Sequence, residues 1–308
     1  MSILDLFGEV RLGLGCMALT GLFGHVDRGV AIRTIHHAMD MGVLHFDTAE
    51  LYGPYENEEL LAEALAAKPA AAVVATKVGY SLVDGKIAGL DSRPDSLRQA
   101  VEGSLRRLRR DCIDLVYQHR QDPNVPVEEV VGTLARLQTE GKIGGIGLSA
   151  IDSATFVRAS AVTPIAAVQN EYSLLQREPE RDLLITLADS ETALVAYSPL
   201  ARGLLTGTAR SWDRQDKDDY RRSDERFAPA RLGTMTTVAA ALHDIAAKHN
   251  VAPTVVALSW LLSRSGNVAA IPGCKSPAQV SLAMDAAQFE LSADEAECLE
   301  TLLLQVIG

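Results

Sequence analysis

Cysteine is scarce in this 308-residue chain, and the four present, Cys16, Cys112, Cys274 and Cys298, include no CxxC pair. Zinc-type ligand spacing is missing and no metal site is expected. A reduced, cytoplasmic protein is the expected setting. Met1 to Val10 carries Asp5 and Glu9 and lacks a basic start followed by an apolar run, so no secretory signal is expected. No 18-residue uncharged apolar segment occurs, which argues against any membrane span. Positive charge is also in deficit: 29 Lys and Arg face 40 Asp and Glu, a net of −11. Such a chain repels polyanions on average, and no nucleic-acid partner is expected. A local cluster of cations or backbone N–H groups can still hold a small anion.

What the chain does have is ordinary globular material, 47% hydrophobic and 22% charged, enough to fill a substantial core. Short apolar runs recur at Val10–Met17, Val43–Glu50, Ala72–Gly79, Asp114–Arg120, Ile143–Ala150, Ala167–Ser173, Ala193–Leu200 and Asn267–Cys274. They are rich in Val, Ile and Leu and nearly continuous, as strands buried on both faces of a parallel sheet are. Amphipathic segments separate them. Val127, Val130, Val131, Leu134 and Leu137 make one helical stripe, with Gly141 beyond it as a left-handed stop. Ser92 and Asp95 predict a capping box, and Ser276-Pro277 predicts a helix start after the last strand.

Eight strands alternating with helices predict a (β/α)8 barrel, a single domain over residues 1–308. An open doubly wound sheet is the competitor, but no GxGxxG follows an early strand. The connection over 201–234, after the seventh strand, breaks the rhythm. Asp213–Arg226 holds six acids and five bases, as a solvated loop does, yet its place on the C-terminal face also suits a lid. Outer helices of barrels serve monomers and oligomers alike, so the oligomeric state stays open.

Barrel enzymes carry their catalytic side chains at the C-terminal ends of the strands. Those ends hold Asp47 and Tyr52 after the second strand, Lys77 in the third and His119 in the fourth. Reducing a carbonyl needs hydride at carbon and a proton at oxygen. Tyr holds its proton at neutral pH, and a nearby ammonium such as that of Lys77 lowers its pKa and makes it a stronger donor. Asp47 is the carboxylate that keeps a buried Lys77 charged, and His119 can orient the carbonyl oxygen. Each residue alone has a bland explanation: a core histidine, a snorkelling lysine, a helix cap, a turn tyrosine. Their joint placement on three successive strand ends favours the proton-transfer reading. A metal-dependent hydrolase built on His119 and Asp47 is the weaker alternative, because no ligand cluster accompanies them.

The stretch Asp47-Thr48-Ala49-Glu50-Leu51-Tyr52-Gly53 with Asn57-Glu58 resembles the signature of the aldo-keto reductases. Ala75-Thr76-Lys77, Gln118-His119-Arg120, Gly147-Leu148-Ser149, Gln169-Asn170-Glu171, Tyr197-Ser198-Pro199-Leu200 and Ile271-Pro272-Gly273 continue the resemblance in order. It implies a barrel that reduces an aldehyde or ketone with NADPH (NADH being the second choice), and a tetrad of Asp47, Tyr52, Lys77 and His119. Carried over by position, Ser149, Gln169 and Asn170 would hold the carboxamide and Tyr197 would stack on the nicotinamide. Ser198, Leu200 and Gly203 would line the pyrophosphate. Gly15 and Met17 would floor the site beside Asp47, and Pro272 and Gly273 would border it. Lys275, Ser276 and Gln279, at a helix start, would meet the 2′-phosphate. Leu282-Ala283 replaces the Glu-Asn pair with which many relatives meet adenine. Phe23, Tyr80, Arg120 and Trp212 are expected to line the pocket for a small-molecule carbonyl substrate, with Leu22 and Phe227 as further loop candidates. The same resemblance permits a cofactor-sensing regulatory subunit with little turnover.

Overall fold

The strand signals in the sequence become one closed sheet. The computed structural model describes residues 1–21, 23–67, 72–207, 221 and 229–306, with the backbone alone for 229–235 and 306. In chain order the strands are β1 (Leu14–Gly15), β2 (His45–Asp47), β3 (Val73–Val78), β4 (Tyr80–Val83), β5 (Lys86–Leu90), β6 (Ile113–Gln118), β7 (Ile143–Ser149), β8 (Ala167–Glu171), β9 (Ala193–Tyr197) and β10 (Val268–Ala270). Eight of them lie in the order β1-β2-β3-β6-β7-β8-β9-β10, every pairing parallel. The seam is closed by parallel bridges between Leu12 and Ala270 and between Gly15 and Gly273. There Gly13 N donates to Ala270 O at 2.9 Å, and Gly15 N to Pro272 O at 3.1 Å. All eight expected strands are present, and the fold is a (β/α)8 barrel.

Helices cover the outside: α2 (Arg28–Asp40), α3 (Glu56–Ala67), α4 (Pro94–Leu108), α5 (Val127–Thr139), α6 (Ser153–Ser160), α7 (Leu183–Leu187), α8 (Pro229–His249), α9 (Pro253–Ser263), α10 (Pro277–Met284) and α11 (Ala293–Val306). The stripe on α5 is buried at all five expected positions, each worth roughly 1.5–3 kcal/mol of transfer free energy. Strand side chains alternate between two cores. Val74, Val116, Ile146, Leu148, Val168 and Leu194 face the helices. Ala75, Leu115, Tyr117, Ala167, Ala193, Val195, Ala269 and Ile271 fill the interior. The Tyr117 ring fits there because Gly147 has no side chain: a Cβ on Gly147 would stand 2.3 Å from a ring carbon.

The floor is sealed by a helix too short to show in the sequence, α1 (Ile3–Phe7), which is held by a capping box between Ser2 and Asp5. Its Leu6 and Phe7 join the interior core, and Phe7 stacks on His45 with ring centroids 4.0 Å apart. The β4–β5 hairpin is antiparallel and stands outside the barrel sheet, beyond the end of β3.

One local expectation is corrected. Ser92 does not cap α4, which starts after Arg93 with no side-chain cap and Pro94 in its first turn. Ser92 is drawn inward: its N–H donates to Asp122 Oδ2 at 3.0 Å and its hydroxyl accepts from Gln118 Nε2 at 2.9 Å. Asp122 is only 6% exposed, and a buried carboxylate needs donors more than an exposed helix end needs a cap. By contrast, Ser276 does cap α10, and Gly141 is left-handed at φ 75°. Trp212, Leu22, Phe227 and most of the 201–234 connection lie outside the described residues. Among those described, no helix is long and apolar enough to cross a membrane, and no three His, Cys, Asp or Glu side chains gather as metal ligands.

Candidate active site

Asp47, Lys77, His119, Ser149, Gln169 and Tyr197 all reach the C-terminal mouth because each belongs to, or directly follows, an inward-facing position on its strand. Lys77 Nζ makes a short ion pair with Asp47 Oδ1, and donates to Thr48 O at 2.8 Å and to the Tyr52 hydroxyl at 3.1 Å. All three ammonium hydrogens are therefore used. Lys77 is 1% exposed and Asp47 2%. Burial works against the Lys77 charge, but Asp47 and Tyr52 outweigh it and hold the ammonium above its ordinary pKa. Burial pushes the Asp47 carboxyl up, opposed by Lys77 and by the Gln169 amide, which donates to Asp47 Oδ2 at 2.7 Å.

The Tyr52 hydroxyl differs from expectation in one respect. Lys77 does draw its pKa down, but burial is the larger influence and the net direction is upward. In this site the ammonium compensates for lost water rather than producing an unusually acidic phenol. The Tyr52 phenol therefore keeps its proton at neutral pH while its oxygen accepts from Lys77. His119 stands edge-on to Tyr52, with ring centroids 5.9 Å apart, and edge-on to Tyr80 at 5.1 Å. Burial, with Lys77 and Arg120 nearby, pushes His119 well below its ordinary pKa, so the imidazole is neutral. Its Nδ1 is buried without a hydrogen-bond partner.

Beneath the tetrad lies a polar layer that appeared in the sequence only as the Asn57-Glu58 pair. Both residues are fully buried at the start of α3. Asn57 accepts from the Thr48 hydroxyl at 2.7 Å and donates to Cys16 O and Thr20 Oγ1, both at 2.9 Å. Glu58 accepts from Thr76 Oγ1 at 2.6 Å and from Arg107 Nε at 2.5 Å. These bonds tie the loop carrying Tyr52 to β1 and β3. Glu50 is buried beside them, with Oε1 unpartnered and Oε2 3.9 Å from Arg107. Burial and the neighbouring Glu58 push its carboxyl up to about 7.

The remaining expected site residues divide. Gly15 sits at the barrel seam against Gly273, and Met17 follows in a 3-10 turn over Cys16–Thr20. Ser198, Ala201, Arg202 and Gly203 are left-handed, at φ 50°, 47°, 57° and 97°, in the turn that carries Leu200. Lys275 extends its ammonium to Phe23 O, its N–H donates to Gln279 Oε1 at 2.7 Å, and Ser276 opens α10. Arg221, which the sequence did not single out, donates to Arg202 O at 3.3 Å and lies 5.6 Å over the Phe23 ring. Asn170 stands apart, on the opposite face of β8 from Gln169. Its amide clasps the backbone of Ile151, donating to the carbonyl at 2.8 Å and accepting from the N–H at 3.2 Å.

A buried acid–amine pair beside one phenol at a barrel mouth can move a proton to or from a bound oxygen. Residues 11–303 match the model of the aldo/keto reductase family. A glycerol dehydrogenase from Gluconobacter oxydans is 32% identical, with 96% of this chain and 92% of that one covered and a TM-score of 0.89. An aldo-keto reductase from Bacillus halodurans, solved in its holo form, is 26% identical, with 95% and 91% covered and a TM-score of 0.76. One from Klebsiella pneumoniae, solved with NADP and acetate, is 24% identical, with 95% and 91% covered and a TM-score of 0.73. The chain belongs to the aldo/keto reductase family.

Proposed function

We propose that the protein reduces an aldehyde or ketone to an alcohol, reversibly, with NADPH as reductant and Tyr52 as proton donor. The observation that carries this reading is the contact from Lys77 Nζ to the Tyr52 hydroxyl, with the amine charge balanced by Asp47 inside the barrel mouth.

The donor set around the rim fits a long, polyanionic cofactor. Ser149 and Gln169 supply an amide-binding edge, and Tyr197 supplies a ring face. The left-handed turn at 198–203 exposes main-chain groups rather than side chains. Lys275 and the start of α10 complete the rim with positive charge. Arg202 and Arg221 lie at the same edge. That positive edge favours the 2′-phosphate of NADP(H) over NAD(H).

Ser149, Gln169, Tyr197 and Lys275 would hold the cofactor, whose nicotinamide would supply the hydride for the carbonyl carbon. The chain's own residues do the rest. Tyr52 releases its proton to the carbonyl oxygen as the new C–H bond forms, so the product is the neutral alcohol. Lys77 steadies the phenolate left behind, and Asp47 keeps Lys77 charged. Neutral His119 is available to orient the carbonyl oxygen without competing as a cation. Oxidation runs the same steps backwards, with Tyr52 as base. General acid catalysis of this kind is typically worth about 10² to 10⁴ in rate; positioning of donor and acceptor supplies the remainder.

The test is loss of NADPH absorbance with a panel of aldehydes and ketones, repeated with Tyr52→Phe. Turnover by the wild type and its near-complete loss in the variant, at unchanged NADPH affinity, are expected. Wild-type rates in the variant would remove Tyr52 from the role.

A further inference from the structure

Arg120 follows His119 at the end of β6, and its side chain lies across the mouth. Its Nη1 donates to His119 O at 2.6 Å and to Ser149 Oγ at 3.3 Å, and its guanidinium carbon lies 5.7 Å over the Tyr197 ring. Its charge is near enough to lower the pKa of both the Tyr52 hydroxyl and the His119 ring. Among the described residues no carboxylate forms an ion pair with it. That is notable in a chain with eleven more acids than bases (40 − 29).

Two consequences follow. A half-buried guanidinium without a carboxylate partner keeps several donors for an incoming acceptor, because two of its bonds go to a neutral carbonyl and a hydroxyl. In addition, Arg120 now covers the ring and the hydroxyl that the proposed reading assigns to the nicotinamide. Binding of that ring must move the guanidinium off Tyr197. Since Arg120 starts beside His119, its displaced head group stays within the substrate side of the mouth.

On the strength of the reductase reading, we infer that Arg120 selects the substrate: the protein takes carbonyl compounds bearing a carboxylate, and Arg120 binds that carboxylate once the cofactor has displaced it. The planar fork of Arg matches two carboxylate oxygens, which a lysine or a neutral donor does not. A carbonyl oxygen held at Tyr52 and a carboxylate held at Arg120 would fix the substrate at two ends and present one carbon for hydride.

The experiment compares kcat/KM for 4-carboxybenzaldehyde and benzaldehyde, which differ only in the carboxylate, in the wild type, Arg120→Ala and Arg120→Lys. The wild type should favour the carboxylate by at least tenfold. Arg120→Ala should abolish that preference, chiefly through KM for the charged aldehyde, and Arg120→Lys should restore part of it. A preference absent from the wild type, or equal in wild type and Arg120→Ala, overturns the inference. If neither aldehyde is reduced by the wild type, the reductase reading fails on its own account. Calorimetric binding of benzoate in the presence of saturating NADP⁺ then decides Arg120 alone: tenfold weaker binding in Arg120→Ala supports the anion site, and equal affinity sinks it. Circular dichroism of each variant shows that the fold is kept.

Discussion

Tyr52 and Lys77 face each other across 3.1 Å, and the hydrogen that joins them belongs to the amine. The phenol therefore keeps its own proton and turns its lone pair towards a cation. On the proposed reading the amine would set the direction and the phenol would supply the proton. Replacing Lys77 by Met should lower kcat by about 10² or more and leave the charge of Asp47 buried without its amine. A large fall in thermal stability should accompany the loss of rate, on the order of 3–5 kcal/mol for a buried pair broken on one side. Lys77→Met with Asp47→Asn should recover stability but not rate. Recovery of both would show that Lys77 acts only as a structural partner.

The pH dependence of reduction follows from two displaced titrations. Tyr52 is pushed above its ordinary value of 10.0 and must be protonated to act, so the active form persists as pH rises. His119 is pushed well below 6.5, so it stays neutral through mildly acidic conditions. The profile of kcat/KM for reduction should be flat from about pH 5.5 to 9, with no acid limb near the ordinary histidine value. A decline centred near pH 8 would contradict the direction assigned to Tyr52.

Glu50 should make stability depend on pH in the sense opposite to a salt-bridged carboxylate. Its folded value of about 7 stands above the ordinary 4.5. Ionising it therefore costs nothing below 4.5, costs progressively more between 4.5 and 7, and reaches its full cost above 7. That gap corresponds to about 3 kcal/mol. Glu50→Gln, which removes the charge at nearly the same size, should raise the Tm by about 5 °C at pH 8. It should change the Tm little at pH 4.5. Equal effects at the two pH values would dissociate Glu50 from the titration.

Gly147→Ala tests the packing of the barrel interior. The added methyl would stand 2.3 Å from a carbon of the Tyr117 ring, which is fully buried. A loss of about 1–3 kcal/mol in urea unfolding is expected, as for other overpacked cores. Gly147→Ala with Tyr117→Leu should regain much of it. A neutral single variant would mean that the ring yields more easily than its burial suggests.

Much of this molecule could be read from the chain alone. Buried parallel strands are apolar on both faces, so all eight appear as runs of Val, Ile and Leu. The clustering of Asp47, Tyr52, Lys77 and His119 was legible because barrel topology brings strand ends together whatever lies between them. Other features were hidden for physical reasons. In the β4–β5 hairpin Lys86 and Ile87 are exposed and Gly89 is left-handed, so no face carries an apolar pattern. α1 spans five residues, too few for a helical period to show. Ser92 carried a capping pattern, but a buried Asp122 elsewhere in the chain took its N–H. The direction of Arg120 depended on the room left by Ser149 and Tyr197, and a long flexible side chain encodes no direction locally. The balance of burial against Lys77 at Tyr52 likewise needed the whole site.

The short helix Ile3–Phe7 closes one end of the cylinder, and the interior behind it is filled by Leu115, Tyr117 and their neighbours. Among the described residues the barrel is accordingly closed at that end by Leu6 and Phe7. On the reductase reading, reductant, carbonyl compound and alcohol would then share the other end, where Asp47, Tyr52 and Lys77 lie.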